Sequence, residues 1–278
     1  MNKDTNKIMA LIDAYKMDGL GNSFVIIDRR QNPLEISKDK IINLAEKKVF
    51  PFDQLITLEK KDGNTYPIKI FNPDGIEVAA CGNGARCIAY LISKENNQKK
   101  ISIKTSERIL NAETIGKQNV KVNMGKVKFD WKEIPLGEKM NTEQINIDFL
   151  DKGLGYGFCL NVGNPHIIFF VKDCFKIKIK ELGPRIENYK YFPERTNVTF
   201  AQVLDRKNIK VNVWERGAGQ TKACGTAACA AAVAASVKGL TDKNSNIHFN
   251  EGNLQIEYEK EIFMTGPVSE VKKINIDI

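Results

Sequence analysis

A chain of 278 residues with 42% hydrophobic and 27% charged residues has the composition of an ordinary globular protein and room for two hydrophobic cores. Its net charge of +8 comes from lysines scattered along the whole sequence. No RNA- or DNA-binding signature accompanies them, which argues against a nucleic-acid partner and leaves a mild pull on small anions. The early apolar run IMALI is too short for a signal-peptide core, and the longest small-apolar stretch, 223–237, is mostly alanine and too weakly apolar to span a bilayer. Neither export nor a membrane is expected. The six cysteines (Cys81, Cys87, Cys159, Cys174, Cys224 and Cys229) therefore read as thiols in a reducing cytoplasm.

In chain order, alternating apolar segments predict strands at 23–27, 54–58, 67–71, 101–104 and 120–123, and again at 157–161, 167–171, 197–203, 209–214, 254–258 and 262–265. Turn signals at 61–64, 72–75 and 250–253 separate some of them. Helical spacing and an N-cap serine predict a helix over 37–48. Two further helices, 84–95 and 226–238, each follow a Cys-Gly step, Cys81-Gly82 and Cys224-Gly225, and the second carries alanine on every face, as a buried helix does.

These landmarks repeat. Gly21-Asn22, Gln54, Asn72 and Cys81 in the first half are followed by Gly163-Asn164, Asn197, Glu215 and Cys224 in the second, at spacings equal to within about one residue over roughly sixty. The chain is therefore read as an α+β protein of two pseudo-symmetric domains, each a curved mixed sheet closed around a central helix. The halves expected are 1–125, joined by the C-terminal strands 259–278, and 126–258.

The chemistry follows from the helix ends. A cysteine at a helix N-terminus sits where unpaired N–H groups and a positive dipole raise its thiolate fraction, and the same N–H groups hold a carboxylate. Gly82 and Gly225 let the backbone approach a ligand closely. Two such ends meeting at a domain interface would place a sulfur on either face of an α-carbon, the geometry for inversion by two-base proton transfer. Taken singly, a cysteine opening a buried helix is a small packing residue; the duplication reverses that reading for Cys81 and Cys224, while Cys87, Cys159, Cys174 and Cys229 remain packing residues. The asparagines and Gln54 can equally be turn formers, His166 a structural histidine, and Glu215-Arg216 a surface ion pair. No dinucleotide fingerprint, P-loop or zinc spacing is present, so no cofactor and no metal are expected.

Together, Gly19-Leu20-Gly21-Asn22, Phe52-Asp53-Gln54, Phe71-Asn72-Pro73-Asp74-Gly75 and Ala80-Cys81-Gly82-Asn83-Gly84-Ala85-Arg86-Cys87 resemble the diaminopimelate epimerase family. The second half adds Gly163-Asn164-Pro165-His166, Pro193-Glu194-Arg195-Thr196-Asn197, Glu215-Arg216-Gly217-Ala218-Gly219, Ala223-Cys224-Gly225-Thr226 and Met264-Thr265-Gly266-Pro267. The resemblance covers essentially the whole chain. It implies a cofactor-free epimerase interconverting LL- and meso-diaminopimelate on the route to lysine and peptidoglycan, usually a homodimer. By position, Cys224 would accept the proton and Cys81 donate it, the roles swapping with direction. Gly82, Asn83, Gly225 and Thr226 would hold the reacting carboxylate. Asn22, Gln54, Asn72, Asn164, Asn197, Glu215 and Arg216 would line the substrate, with Arg216 and the asparagines suited to the distal carboxylate. His166 and Glu215 would tune the two thiols. The chain departs from the family pattern at Asp18, where His is common, at Ser23, where Asp is common, and at Thr226-Ala227 in place of Ser-Gly. A proline or hydroxyproline racemase and a thiol-based redox protein are the rival readings.

Overall fold

The structure, a computed structural model, describes residues 11–47, 49–78 and 81–277. In chain order the elements are β1 (Leu11–Asp18), β2 (Ser23–Asp28), α1 (Lys38–Lys47), β3 (Gln54–Leu58), β4 (Thr65–Phe71), β5 (Glu77–Val78), α2 (Gly82–Asn96), β6 (Lys100–Lys104), β7 (Ile109–Ile115) and β8 (Asn119–Gly125). After an irregular stretch and a 3-10 turn at Lys152–Leu154 come β9 (Phe158–Asn161), β10 (Pro165–Phe170), α3 (Ile179–Glu187), β11 (Asn197–Asp205), β12 (Asn208–Glu215), β13 (Gly219–Thr221) and α4 (Gly225–Val237). The chain finishes with β14 (Asn244–Phe249), β15 (Gly252–Tyr258), β16 (Ile262–Pro267) and β17 (Lys272–Asp277). The fold is α+β. The described residues up to Thr114 and from Val268 onward form one compact unit, and Ile115–Pro267 the other.

Within the first unit β1 pairs antiparallel with β17 and with β2, β2 runs parallel to β3, β3 antiparallel to β4, β4 parallel to β6, and β6 antiparallel to β7. The second unit repeats the series: β9–β10 antiparallel, β10–β11 parallel, β11–β12 antiparallel, β12–β14 parallel, β14–β15 antiparallel. It continues through β16 to β8. The register repeats as well. Phe24 pairs with Gln54 as His166 pairs with Asn197, Leu55 with Phe71 as Val198 with Trp214, and Ile70 with Val78 as Val213 with Thr221. The duplication read in the sequence is thus a duplication of hydrogen-bond register. A slip of one residue would turn every side chain to the opposite face, so this agreement places equivalent landmarks on equivalent faces.

Each unit is built around a helix buried on all sides. In α4 everything from Gly225 to Ala235 except Thr226 is buried, and the helix packs against β9–β12 and β14–β16. Alanine makes this possible, since small side chains let strands approach from every direction at no rotamer cost. In α2 the run from Gly82 to Ile92 is buried, and the helix stops at Asn97, which adopts the left-handed cap (φ 52). A separate apolar cluster joins Ile134, Leu136, Ile145 and Ile147 of the irregular stretch to Ile179 and Ile186 of α3 and to Phe169 and Phe200.

The expected strands all form, with small shifts at their ends, and the expected helix 37–48 is α1, although Lys48 lies outside the described residues. Both helices after the Cys-Gly steps begin earlier than spacing alone indicated, at the glycine itself, which makes each cysteine an N-cap. The strands β1, β5, β7, β13 and β14 and the helix α3 were not expected, while β17 lies in the expected C-terminal strands 259–278. In α3 the pair Gly183-Pro184 reads as a helix breaker. It is accommodated because the Trp214 ring lies where a Gly183 side chain would stand: an added Cβ would come within 2.6 Å of it. No helix among the described residues is long and apolar enough to cross a membrane.

Candidate active site

The first half-site is assembled at the N-terminal end of α2. Cys81 caps the helix in an extended conformation (φ −139, ψ 111), and its Sγ accepts from Gly84 N at 3.4 Å. The loop before β2 lies against this end. Leu20 and Gly21 take positive φ, Gly21 N donates to Asp18 Oδ1 at 2.8 Å, and an added Cβ on Gly19 would meet the Asn83 carbonyl at 3.0 Å. Asp18, one of the departures from the family pattern, thus fixes the turn that delivers Asn22. Asn83 Nδ2 donates to Asn22 Oδ1 at 2.9 Å, and Asn83 Oδ1 accepts from Arg86 Nη1 at 2.8 Å. Arg86 is fully buried. At the sheet, Gln54 Nε2 donates to Asn72 Oδ1 at 3.3 Å, and Asn72 opens a turn closed by Gly75 N donating to its carbonyl at 2.9 Å.

The second half-site repeats this backbone with other side chains. Cys224 caps α4 at nearly the same angles (φ −136, ψ 115), and Glu215 opens a turn closed by Ala218 N at 3.1 Å, as Asn72 does in the first half. Here the sulfur does not cap the helix through its side chain. Cys224 Sγ donates to Glu215 Oε2 at 3.0 Å and lies 3.4 Å from Thr226 Oγ1. Burial first, and then the Glu215 carboxylate, push this thiol well above its ordinary range, while burial raises Glu215. The helix end was expected to favour the thiolate. For Cys224 desolvation and a neighbouring negative charge outweigh the dipole, so the resting sulfur is a thiol hydrogen-bonded to a carboxylate.

Asn197 is buried and fully engaged: Nδ2 donates to the Pro165 carbonyl at 2.8 Å and Oδ1 accepts from Arg216 N at 3.0 Å. It ties β10 to the turn after β12. The Arg216 guanidinium donates to the Glu194 carbonyl at 3.1 Å. His166 is buried, with Nε2 2.9 Å from Asn164 Oδ1. With that oxygen as acceptor Nε2 carries the proton, leaving Nδ1 as a bare acceptor that is buried without a partner among the described residues. Burial, helped by the Arg216 charge, lowers His166 to about 3, so it is neutral at physiological pH. Any influence it has on a thiol is that of an acceptor, not of a cation.

Each unit thus collects its own expected residues: Asn22, Gln54, Asn72, Cys81, Gly82 and Asn83 in the first, and Asn164, His166, Asn197, Glu215, Arg216, Cys224, Gly225 and Thr226 in the second. Two buried charged residues had no assigned role in the sequence reading: Arg86, which binds Asn83, and Glu187, which binds Trp214 and Gly217 on either side of Glu215-Arg216. Arg86 stood inside a quoted motif, its distance from the capping thiol being the only signal. Glu187 stands in the helix hidden by Gly183-Pro184. Cys87, Cys159, Cys174 and Cys229 are all buried, and burial raises Cys174 to about 11. No cluster of three or more metal-ligating side chains occurs among the described residues.

A sequence profile described as "Diaminopimelate epimerase" matches residues 14–130 and 158–271, one segment for each half of the duplication. A protein of that name from Pelagibacter ubique (strain HTCC1062) is 46% identical over 273 residues, 96% of this chain and 99% of its own length. Another, from Phenylobacterium zucineum (strain HLK1), is 39% identical over 259 residues, 91% of this chain and 94% of its own. Among solved structures, a phenazine biosynthesis protein of the PhzF family from Enterococcus faecalis superposes with a TM-score of 0.66 at 14% identity, covering 96% of this chain and 100% of that one. A hydroxyproline epimerase from Agrobacterium vitis superposes with a TM-score of 0.65 at 11% identity, covering 96% and 93%. The distant structures share the two-domain α+β fold.

Proposed function

This chain belongs to the diaminopimelate epimerase family, and we propose that it interconverts LL- and meso-2,6-diaminopimelate by moving the α-proton between two thiols without a cofactor. The observation that carries the reading is the pair of cysteines capping the duplicated helices, each with the first-turn N–H groups of its helix beside it. Those groups and the positive helix end suit the reacting carboxylate, and neutralising it lowers the cost of the carbanion formed when the α-proton leaves. Gly82, Asn83, Gly225 and Thr226 lie in the two first turns and take this role. One sulfur removes the proton, the other returns one from the opposite face, and the roles exchange when the reaction reverses.

The two sulfurs start differently armed. Cys224, held as a thiol against Glu215, is ready as the acid; to serve as base it first passes its proton along the 3.0 Å hydrogen bond to Glu215, whose raised pKa suits it as acceptor. His166 offers only its bare Nδ1 as a further acceptor. Asn22, Gln54, Asn72, Asn164, Asn197 and Arg216 line the substrate, Arg216 toward the distal carboxylate. The enzyme acts in the cytoplasm as a homodimer, on the route to lysine and peptidoglycan precursors.

Incubating the reduced protein with LL-diaminopimelate in D2O and following the α-carbon by NMR tests this. Deuterium incorporation with appearance of the meso isomer is expected, and no exchange overturns the reading. Cys81→Ala and Cys224→Ala should each abolish inversion; near-normal turnover in either removes that thiol from the mechanism.

A further inference from the structure

The turn carrying Glu215 and Arg216 is held by a buried carboxylate from another element. Glu187, the last residue of α3, is only 4% exposed. Its Oε2 accepts from the Trp214 indole Nε1 at 2.7 Å, and its Oε1 accepts from Gly217 N at 2.8 Å and from Arg195 Nη1 at 3.3 Å. Trp214 and Gly217 bracket Glu215-Arg216 immediately on either side. Arg195 belongs to the segment that leads into Asn197, and Asn197 grips Arg216 N from the opposite direction. A carboxylate removed from water is costly unless its oxygens are satisfied, and here three donors satisfy them. One of those donors, the Arg195 guanidinium, is half exposed, so the arrangement spends a buried charge mainly on two donors that flank the Glu215-Arg216 step.

We propose that Glu187 is a positioning residue for the reaction: by fixing Trp214 and Gly217 it holds the Glu215 carboxylate against Cys224 Sγ and aims Arg216. The proposal rests on the epimerase reading for its substrate, but the contact it controls, 3.0 Å between Cys224 Sγ and Glu215 Oε2, is independent of which substrate is bound. Swapping the carboxylate for an amide leaves one oxygen for donors that need two and turns an N–H toward one of them, so the turn loosens on one side.

The test is Glu187→Gln, examined in two ways. The pH dependence of iodoacetamide alkylation at Cys224, read by peptide mass spectrometry, reports the Glu215–Cys224 contact. Its midpoint should fall by about one pH unit as the carboxylate moves away, with that of Cys81 unchanged. The rate of α-deuterium exchange into diaminopimelate should fall about tenfold to a hundredfold, as for loss of a supporting hydrogen bond around a reactive group. A residue that only stabilises the fold would lower the melting temperature and leave the Cys224 midpoint where it was. A folded Glu187→Gln protein with an unmoved midpoint and kcat within twofold of wild type overturns the proposal. Should that variant not fold, Trp214→Phe removes the indole donor while keeping a ring against Gly183. A lowered Cys224 midpoint is expected there, and an unchanged one overturns the proposal. Absence of exchange by the wild-type protein would instead overturn the epimerase reading, and the alkylation arm would still decide the role of Glu187.

Discussion

Replacing Glu215 by Gln should make Cys224 more reactive as a nucleophile while making the enzyme slower, two effects of opposite sign from one substitution. In the folded protein the thiolate of Cys224 would face a carboxylate oxygen 3.0 Å away. The repulsion between unit charges at that distance is about 1.4 kcal/mol with the dielectric of water and about 5.5 kcal/mol with the effective value of 20 suited to protein sites. It therefore accounts for about one to four units of the rise in the Cys224 pKa. Because Glu215 is part-exposed as a residue, solvent screens the pair and the lower end applies. Glutamine preserves the shape and removes the charge. The folded-state pKa of Cys224 then falls, its thiolate fraction at pH 7 rises about tenfold, and iodoacetamide should label it about tenfold faster. Desolvation, the largest cause of the shift, remains, so the thiol does not return to its ordinary value. Epimerisation should drop by about a hundredfold or more, because the amide cannot take the proton when Cys224 must act as base. The assays are timed alkylation with mass-spectrometric assignment and α-deuterium exchange on the same preparations. Unchanged labelling of Cys224 in a folded Glu215→Gln protein would refute the argument that the carboxylate holds this sulfur in its thiol form.

His166 provides an acid-stability prediction: its pKa is lowered from 6.5 to about 3, so below pH 6.5 the unfolded chain binds a proton that the folded one refuses, and stability is lost as pH falls through that window. His166→Gln should therefore lose about 2–3 kcal/mol less between pH 7 and 4.5 than wild type in urea titrations, and parallel curves would refute this. Gly183→Ala places a Cβ within 2.6 Å of the Trp214 ring and should cost roughly 1–3 kcal/mol by thermal or urea unfolding, with activity falling further as Trp214 shifts; a wild-type Tm would refute the clash. Arg86→Met leaves the buried Asn83 Oδ1 without its 2.8 Å donor and should destabilise by about 1–3 kcal/mol. Its KM should rise more than its kcat falls if Asn83 and Asn22 serve binding as proposed; steady-state kinetics with an unchanged KM would remove Arg86 from that chain.

What could be read in the sequence was whatever local pattern dictates. Strands such as 54–58 and 209–214 alternate or run apolar because one or both faces are buried, and they form where expected. The missed strands are those whose composition hides the pattern, such as β14, which opens Asn-Ser-Asn, and β13, which is Gly-Gln-Thr. Their pairing partners, not their propensities, make them strands. The helix α3 was hidden by Gly183-Pro184, which only the ring of Trp214, distant in sequence, explains. At the site, the residue types and their spacing were legible, and the state of each group was not. That Cys224 is a thiol held by Glu215, or that His166 is neutral with Nδ1 bare, depends on burial and on neighbours brought by the sheet. Glu187 carried no signal, because nothing local distinguishes a surface glutamate from one turned inward against an indole.

On the proposed reading, the duplicated Cys-Gly steps explain how one chain handles a carbon whose configuration it must both make and unmake. Register and capping angles repeat between the halves, so each capping sulfur has the same backbone about it, the same first-turn N–H groups, and the same turn nine residues before it. A pair alike in every respect would hold a shared proton on either sulfur with equal weight. The side chains break that symmetry. Asn72 in the first half stands where Glu215 stands in the second, so an amide replaces the carboxylate that contacts Cys224. The Glu215 carboxylate adds to burial in pushing the Cys224 thiol up. On the proposed two-thiol reading, the repeated backbone serves inversion and Glu215 keeps the proton on Cys224 between turnovers.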